Sequence, residues 1–126
     1  ALARHEAWLD ADQGRLAHGD FDATHIYQQG GQYTGIIDFG EMRGTDPWYD
    51  LGQRAMREGE HLPEPLLPGV LEGYATFRPL PPDHARRIAF AALLIGIRTA
   101  ARLGRRGRRD DSALRAIRRG LLALHP

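Results

Sequence analysis

Four side chains between positions 18 and 38 are of types that hold metal ions or move protons. They are His18, Asp20, His25 and Asp38. Carboxylates and neutral imidazoles are ligands of divalent cations, and a well-placed carboxylate accepts the proton of a reacting hydroxyl. These four side chains are therefore candidates for a site that binds a metal ion or moves a proton.

Residue types that the chain lacks exclude other chemistries. The chain has no cysteine, and its seventeen basic residues are all arginine. These absences exclude a thiolate metal site, a cysteine nucleophile and any mechanism that needs a lysine from this chain, such as that of a phosphate-binding P-loop. A cysteine-free chain is also typical of a reducing compartment, so we expect a cytoplasmic protein.

Charge and hydropathy patterning indicate neither a nucleic-acid partner nor a membrane partner. The formal net charge is +1 for 126 residues, which gives no general attraction to a polyanion. The longest apolar run, at 88–97, falls short of the roughly 20 residues that span a bilayer, so it predicts a buried helix. Five arginines lie within 102–109, but glycines interrupt them and two aspartates follow, which is typical of a solvated connector.

The elements that must position the four side chains are one β-hairpin and a set of helices. Gly30 and Gly31 tolerate a tight turn, and β-branched and aromatic residues at 26–29 and 32–37 flank them. Apolar periodicity and helix-start signals predict helices at 1–11, after Asp46, at 69–77, at 83–103 and at 112–124. Ser112 is the predicted N-cap of the last helix. The predicted fold class is α+β and mainly helical, with one hairpin and about four or five helices in a single domain.

The spacing of the site residues matches that of a known pair of loops. The segment HGD at 18–20 is followed by His25, five residues after Asp20, then by the hairpin, and then by DFG at 38–40. Protein kinases place a His-Arg-Asp catalytic loop and an Asp-Phe-Gly metal-binding loop at a matching separation. Two motifs at the right distance from each other are a stronger indication than either motif alone.

Three segments, HGDFDATH at 18–25, IIDFG at 36–40 and GTDPWYDLG at 44–52, together resemble the C-terminal lobe of the aminoglycoside phosphotransferase and choline kinase-like family. Members of this family are small-molecule kinases with a protein-kinase-like fold. The resemblance implies that residues 1–126 form the C-terminal catalytic and substrate lobe. The N-terminal nucleotide-binding lobe, with its glycine-rich loop and lysine, would then lie outside this chain. We therefore expect a fragment that is inactive by itself and that self-associates through the surface left uncovered.

The resemblance also implies a role for each site residue. Asp20 would orient the acceptor hydroxyl and take its proton, while Asp38 and His25 would hold Mg²⁺ bridging the phosphates of ATP or GTP. His18 and Asp50 would support the catalytic loop. Many family members carry Asn at the position of His25, whereas others, which phosphorylate some aminoglycosides and macrolides, carry His.

By this resemblance the protein is an ATP- or GTP-dependent phosphotransferase that acts on a hydroxyl of a small molecule. The implied acceptors are aminoglycoside-, macrolide- or choline-like, and antibiotic resistance is one implied role. Two alternatives stay open at the level of sequence. The four metal-capable side chains could activate water in a metal-dependent hydrolase, although a hydrolase does not need the DFG segment after a hairpin. The chain could also be a catalytically silent kinase-like interaction module.

A short acidic loop has two interpretations. Glu58, Glu60 and Glu64 lie close together with His61 in a proline-containing segment. Such a loop could attract an amine-rich substrate. The simpler interpretation, which we favour, is that these are solvated loop charges.

Overall fold

The computed structural model describes residues 6–7, 14–59 and 65–125. The strands are β1 (Arg15–Ala17), β2 (Ile26–Gln29), β3 (Gln32–Ile36) and β4 (Arg43–Thr45). The helices are α1 (Tyr49–Met56), α2 (Leu67–Phe77), α3 (His84–Gly104) and α4 (Asp111–Leu124). Glu6 and Ala7 are helical, and the rest of the helix predicted at 1–11 lies outside the described residues. The described part is therefore α+β and mainly helical, as the sequence predicts.

The predicted hairpin is confirmed as the antiparallel pair of β2 and β3. Ile26 lies opposite Ile36, and Gln29 lies opposite Gln32. Gly30 and Gly31 form the turn with φ angles of 59° and 78°, which side chains with a Cβ rarely adopt. The hairpin therefore carries the chain outward after His25 and returns it directly to the DFG segment.

A second antiparallel pair, β1 with β4, closes the loop that contains the hairpin. Arg15 lies opposite Thr45, and Ala17 lies opposite Arg43. The sequence analysis did not predict either of these three-residue strands. Their pairing brings the start of the HGD segment close to the residues that follow DFG, so the two motifs become neighbours in space.

The helical core is centred on α3, which packs against both α1 and α4. One cluster joins Trp48, the N-cap of α1, and Leu51 of α1 to Ile88 and Ala91 of α3. A second cluster joins the three helices through Met56, Ala92, Ile95 and Ala116. The apolar run at 88–97 is thus a buried helix, as predicted, and none of the helices described combines the length and apolar character that a membrane crossing requires.

A glycine sets the close approach of α1 to α3. A Cβ at Gly52 would lie 2.5 Å from Cβ of Ala91 and 2.9 Å from the backbone nitrogen of Ala92. No carbon atom can occupy that space without moving one of the helices. The short helix α1 therefore packs with its backbone close to that of α3.

Carboxylates bind free N–H groups at the starts of two helices, and one of them replaces the N-cap that the sequence predicts. The N-cap of α4 is Asp110, not Ser112, because Oδ1 of Asp110 accepts the N–H groups of Ser112 (2.9 Å) and Ala113 (3.0 Å). Ser112 already lies inside the first turn. At the start of α2, the carboxylate of Glu58 accepts the N–H groups of Leu66 (2.6 Å) and Leu67 (3.1 Å).

These contacts give Glu58 a structural role, and its side chain is only 19% exposed, so it is neither a solvated loop charge nor free to attract a substrate. The other members of that loop, Glu60, His61 and Glu64, lie outside the described residues. The arginine-rich connector after α3 is exposed, and Arg109 within it pairs with Asp111 at 3.0 Å.

Candidate active site

The HGD segment is held by a carboxylate on α1. The backbone N–H of His18 donates to Oδ2 of Asp50 at 2.7 Å, and that of Gly19 donates to Oδ1 at 3.0 Å. Asp50 lies in the first turn of α1, where a negative charge is also favoured by the helix dipole. Both oxygens of one side chain thus fix the two residues that precede Asp20.

Only glycine fits at position 19. Its φ angle is +86°, and a Cβ there would lie 1.9 Å from the carbonyl oxygen of Glu41. Both the backbone conformation and the lack of space exclude a side chain. The HGD loop therefore packs directly against the backbone of Glu41, the residue that follows DFG.

His18 links the two loops with both ring nitrogens. Its Nε2 lies 2.8 Å from the carbonyl oxygen of Ile37, which can only accept, so Nε2–H is the donor. Nδ1 then accepts the backbone N–H of Asp20 at 3.3 Å. The ring is buried and lies 4.7 Å from the ring of Phe39. With both nitrogens engaged, this imidazole ties Asp20 to the end of the hairpin.

Asp20 itself is positioned by a residue that the sequence analysis missed. Nε2 of Gln53 donates to Oδ1 of Asp20 at 2.8 Å, and Oε1 of Gln53 accepts the backbone N–H of Phe21 at 3.3 Å. The Gln53 side chain is only 6% exposed. Because Gln53 follows Asp50 by three residues on α1, the two side chains share one helix face and hold the whole loop together.

His25 and Asp38 lie on the other side of Asp20. Nδ1 of His25 is 2.9 Å from the carbonyl oxygen of Asp20, so Nδ1 carries the hydrogen. In a neutral ring, Nε2 then has a free lone pair, and it lies 3.6 Å from Oδ2 of Asp38. Asp38 adopts a left-handed backbone conformation, with φ of 64° and ψ of 58°, which is uncommon for a residue other than glycine. This conformation is a form of local strain that clusters at functional sites.

The donor atoms fit a divalent cation. One ligand atom from each of Asp20, His25 and Asp38 lies within 4.8 Å of the others. Two carboxylate oxygens and one imidazole nitrogen would suit Mg²⁺ through the oxygens, with water filling the other positions. A histidine that binds a metal commonly donates its second N–H to a backbone carbonyl, as His25 does here.

Among the described residues, the sequence-predicted site thus divides into two groups. Asp20, His25 and Asp38 come together as the metal-capable group, and His18 and Asp50 lie behind them in the hydrogen-bond network. This network fixes the carboxylate of Asp20 beside the side chains of His25 and Asp38.

Comparison with known proteins identifies the family. Residues 1–90 match the Phosphotransferase enzyme family, which is well over half of the chain. The chain therefore belongs to this phosphotransferase family, in agreement with the resemblance of its motifs to aminoglycoside phosphotransferases. No curated protein and no solved structure matches the chain significantly.

Proposed function

We propose that the protein transfers the terminal phosphoryl group of ATP or GTP to a hydroxyl of a small molecule. The observation that carries this proposal is the position of Asp20, which Gln53 holds in place and which lies beside the metal-capable pair of His25 and Asp38. Family membership supports phosphoryl transfer over hydrolysis. The cytoplasm, where nucleoside triphosphates are abundant, is the proposed site of the reaction.

Asp20 is the proposed general base. Its Oδ1 is occupied by the hydrogen bond from Gln53, and no described residue donates to its Oδ2. Oδ2 is therefore the oxygen that would accept the hydrogen of the acceptor hydroxyl and direct that oxygen toward the phosphorus. His18 and Asp50 act indirectly, by keeping the loop in this conformation.

His25 and Asp38 are the proposed holders of the metal-bound nucleotide. Mg²⁺ bound there would neutralise negative charge on the phosphate oxygens. Asp38 is 59% exposed in its side chain, so it is open to a nucleotide approaching from solvent. His25 and Asp38 would contribute to the reaction by holding the nucleotide phosphates in position. Positioning and charge neutralisation are most of what phosphoryl transfer requires from a protein.

A nucleotide-binding lobe is part of the proposal. A cleft of about 520 Å³ beside the site includes Leu16, Phe39 and Met42 in its lining, and these three side chains are 74%, 49% and 52% exposed. Apolar groups of this size, grouped at one face, favour contact with another domain. We propose that residues 1–126 form the C-terminal lobe and that a nucleotide-binding lobe, which supplies the lysine this chain lacks, covers this face.

The test is the Asp20→Asn variant of the full-length protein that contains this chain. Nucleoside-diphosphate release should be measured with a panel of alcohols, with ATP and with GTP. We expect turnover to fall by at least ~10²-fold, as for loss of a general base, with little change in nucleotide affinity. Asp111→Asn, a matched change at an exposed position, should leave turnover unchanged.

Two results would contradict the proposal. Near-normal turnover of the Asp20→Asn variant would remove Asp20 from the mechanism. Release of phosphate to water as the main reaction, with no phosphorylated alcohol formed, would favour the hydrolase alternative.

A further inference from the structure

A second cleft adjoins Asp20 but does not reach the other two metal-capable residues, His25 and Asp38. Its volume is about 270 Å³, and Asp20 and Thr99 line it together with four arginines: Arg43, Arg57, Arg98 and Arg102. His25 and Asp38 are not part of its lining. Asp20 therefore stands between two compartments, and a hydroxyl that reaches it opposite the nucleotide would come from this cleft.

The cleft is basic. Four guanidinium groups line it against only two carboxylates, those of Asp20 and Glu41. Arg43 is paired with Glu41 at 2.6 Å, and Arg57 lies 3.7 Å from Asp22. The positive charge that these pairs leave uncompensated comes from Arg98 and Arg102.

Arg98 and Arg102 differ from the other arginines of the cleft. Both are exposed, and neither forms a hydrogen bond or an ion pair with another residue in the described part of the chain. They are four residues apart on α3, so their side chains leave the helix on one face. Like charges at this spacing repel each other slightly, and an anion bound between them would remove that repulsion.

We propose that this cleft binds an acidic group of the acceptor, so that the substrate is an alcohol carrying a carboxylate or a phosphate near the reacting hydroxyl. The proposal rests on the phosphotransferase function proposed above. Guanidinium groups bind both kinds of anion in a bidentate manner, and Arg98 with Arg102 offers two of them on one face. Polycationic acceptors and quaternary ammonium alcohols would instead meet the uncompensated positive charges of Arg98 and Arg102.

The first experiment measures binding without nucleotide, in the full-length protein that contains this chain. Calorimetric titrations would use four small alcohols: glycerate, glycerol 3-phosphate, glycerol and choline. The two acids should bind, whereas glycerol and choline should not. The carboxylate and phosphate probes also decide which anion the cleft prefers.

Variants then assign the binding to the two arginines. R98Q/R102Q should weaken binding of the preferred acid by about tenfold or more, which corresponds to loss of a hydrogen bond to a charged group. R86Q/R118Q removes the same charge from exposed helical positions outside the cleft and should leave acid binding unchanged. Affinity for Mg²⁺-ATP should be the same in both double variants.

Three outcomes would overturn the inference. They are tighter binding of glycerol or choline than of either acid, equal effects of the two double variants, and a loss of Mg²⁺-ATP affinity in R98Q/R102Q in place of a loss of acid affinity. Failure of the proposed phosphotransferase function would give a different experimental result. Acid binding that depends on the arginines, in a protein that phosphorylates no alcohol, would uphold the acidic-ligand site and refute phosphoryl transfer.

Discussion

Replacing Gln53 by methionine should slow catalysis without weakening nucleotide binding. Methionine has a similar length and a good helix propensity, but it cannot donate to Oδ1 of Asp20 or accept from Phe21. The lost hydrogen bond joins a buried amide to a carboxylate at 2.8 Å, and such bonds are worth about 1.5–3 kcal/mol. If this energy serves to position Asp20, turnover should fall by about 10- to 100-fold.

The assay is steady-state phosphoryl transfer by the chain together with the nucleotide-binding lobe proposed above, with kcat and the KM for Mg²⁺-nucleotide measured separately. The nucleotide KM should stay constant, since Gln53 is not among the metal-capable residues. Gln29→Met, at an exposed position of β2, is the matched control. In the Asp20→Ala background, Gln53→Met should have no further effect, because nothing is left to position. Additive losses in the double variant would refute the argument that Gln53 acts through Asp20.

Three other changes test the metal group, the helix packing and the uncovered apolar face. His25→Asn should keep turnover within about tenfold of the wild type, because Asn offers Mg²⁺ an oxygen in place of Nε2, whereas complete loss of activity would show another role for the ring. Gly52→Ala should lower the free energy of unfolding by about 1–3 kcal/mol in urea titrations, because its Cβ overlaps Ala91, while Gly73→Ala, with open space around it, should not destabilise the protein. Residues 1–126 alone should unfold cooperatively, self-associate in sedimentation experiments and bind Mg²⁺-ATP only weakly; micromolar affinity in calorimetry would contradict the need for a second lobe.

Elements that depend on local sequence were predictable. The backbone conformation of the Gly30-Gly31 turn sets the pairing next to it, Gln29 with Gln32 and Gln28 with Tyr33, although the register shifts by one residue beyond Gln28. The apolar residues at 88–97 lie in one largely buried helix. Helix ends were less certain, because Asp110 and Ser112 are both good caps. Asp110 is the N-cap, since its side chain accepts two backbone N–H groups at once.

Features that depend on distant residues were not predictable. β1 and β4 are three residues each, and Arg15 pairs with Thr45 across thirty positions, so neither strand has a pattern of its own. Gln53 was missed because an uncharged amide on a helix is usually a surface residue. The sequence does place Gln53 three residues after Asp50, on the same face of α1. This spacing indicates a role for Gln53 only when the HGD loop is known to lie over that face.

The unequal lengths of α1 and α3 have a consequence for how such an enzyme diversifies. α1 has 8 residues and α3 has 21, and the clusters that join them extend along α3 only as far as Ile95. At 1.5 Å per residue, the part of α3 beyond Ile95 extends past the clusters shared with α1 for more than about two turns and carries Arg98 and Arg102. Substitutions in this part of α3 should change neither the packing of α1 on α3 nor the conformation of the HGD loop that α1 holds. Under the proposed function, a descendant of this protein could therefore exchange one acceptor for another by changing α3 alone, while the groups that handle the phosphate are inherited intact.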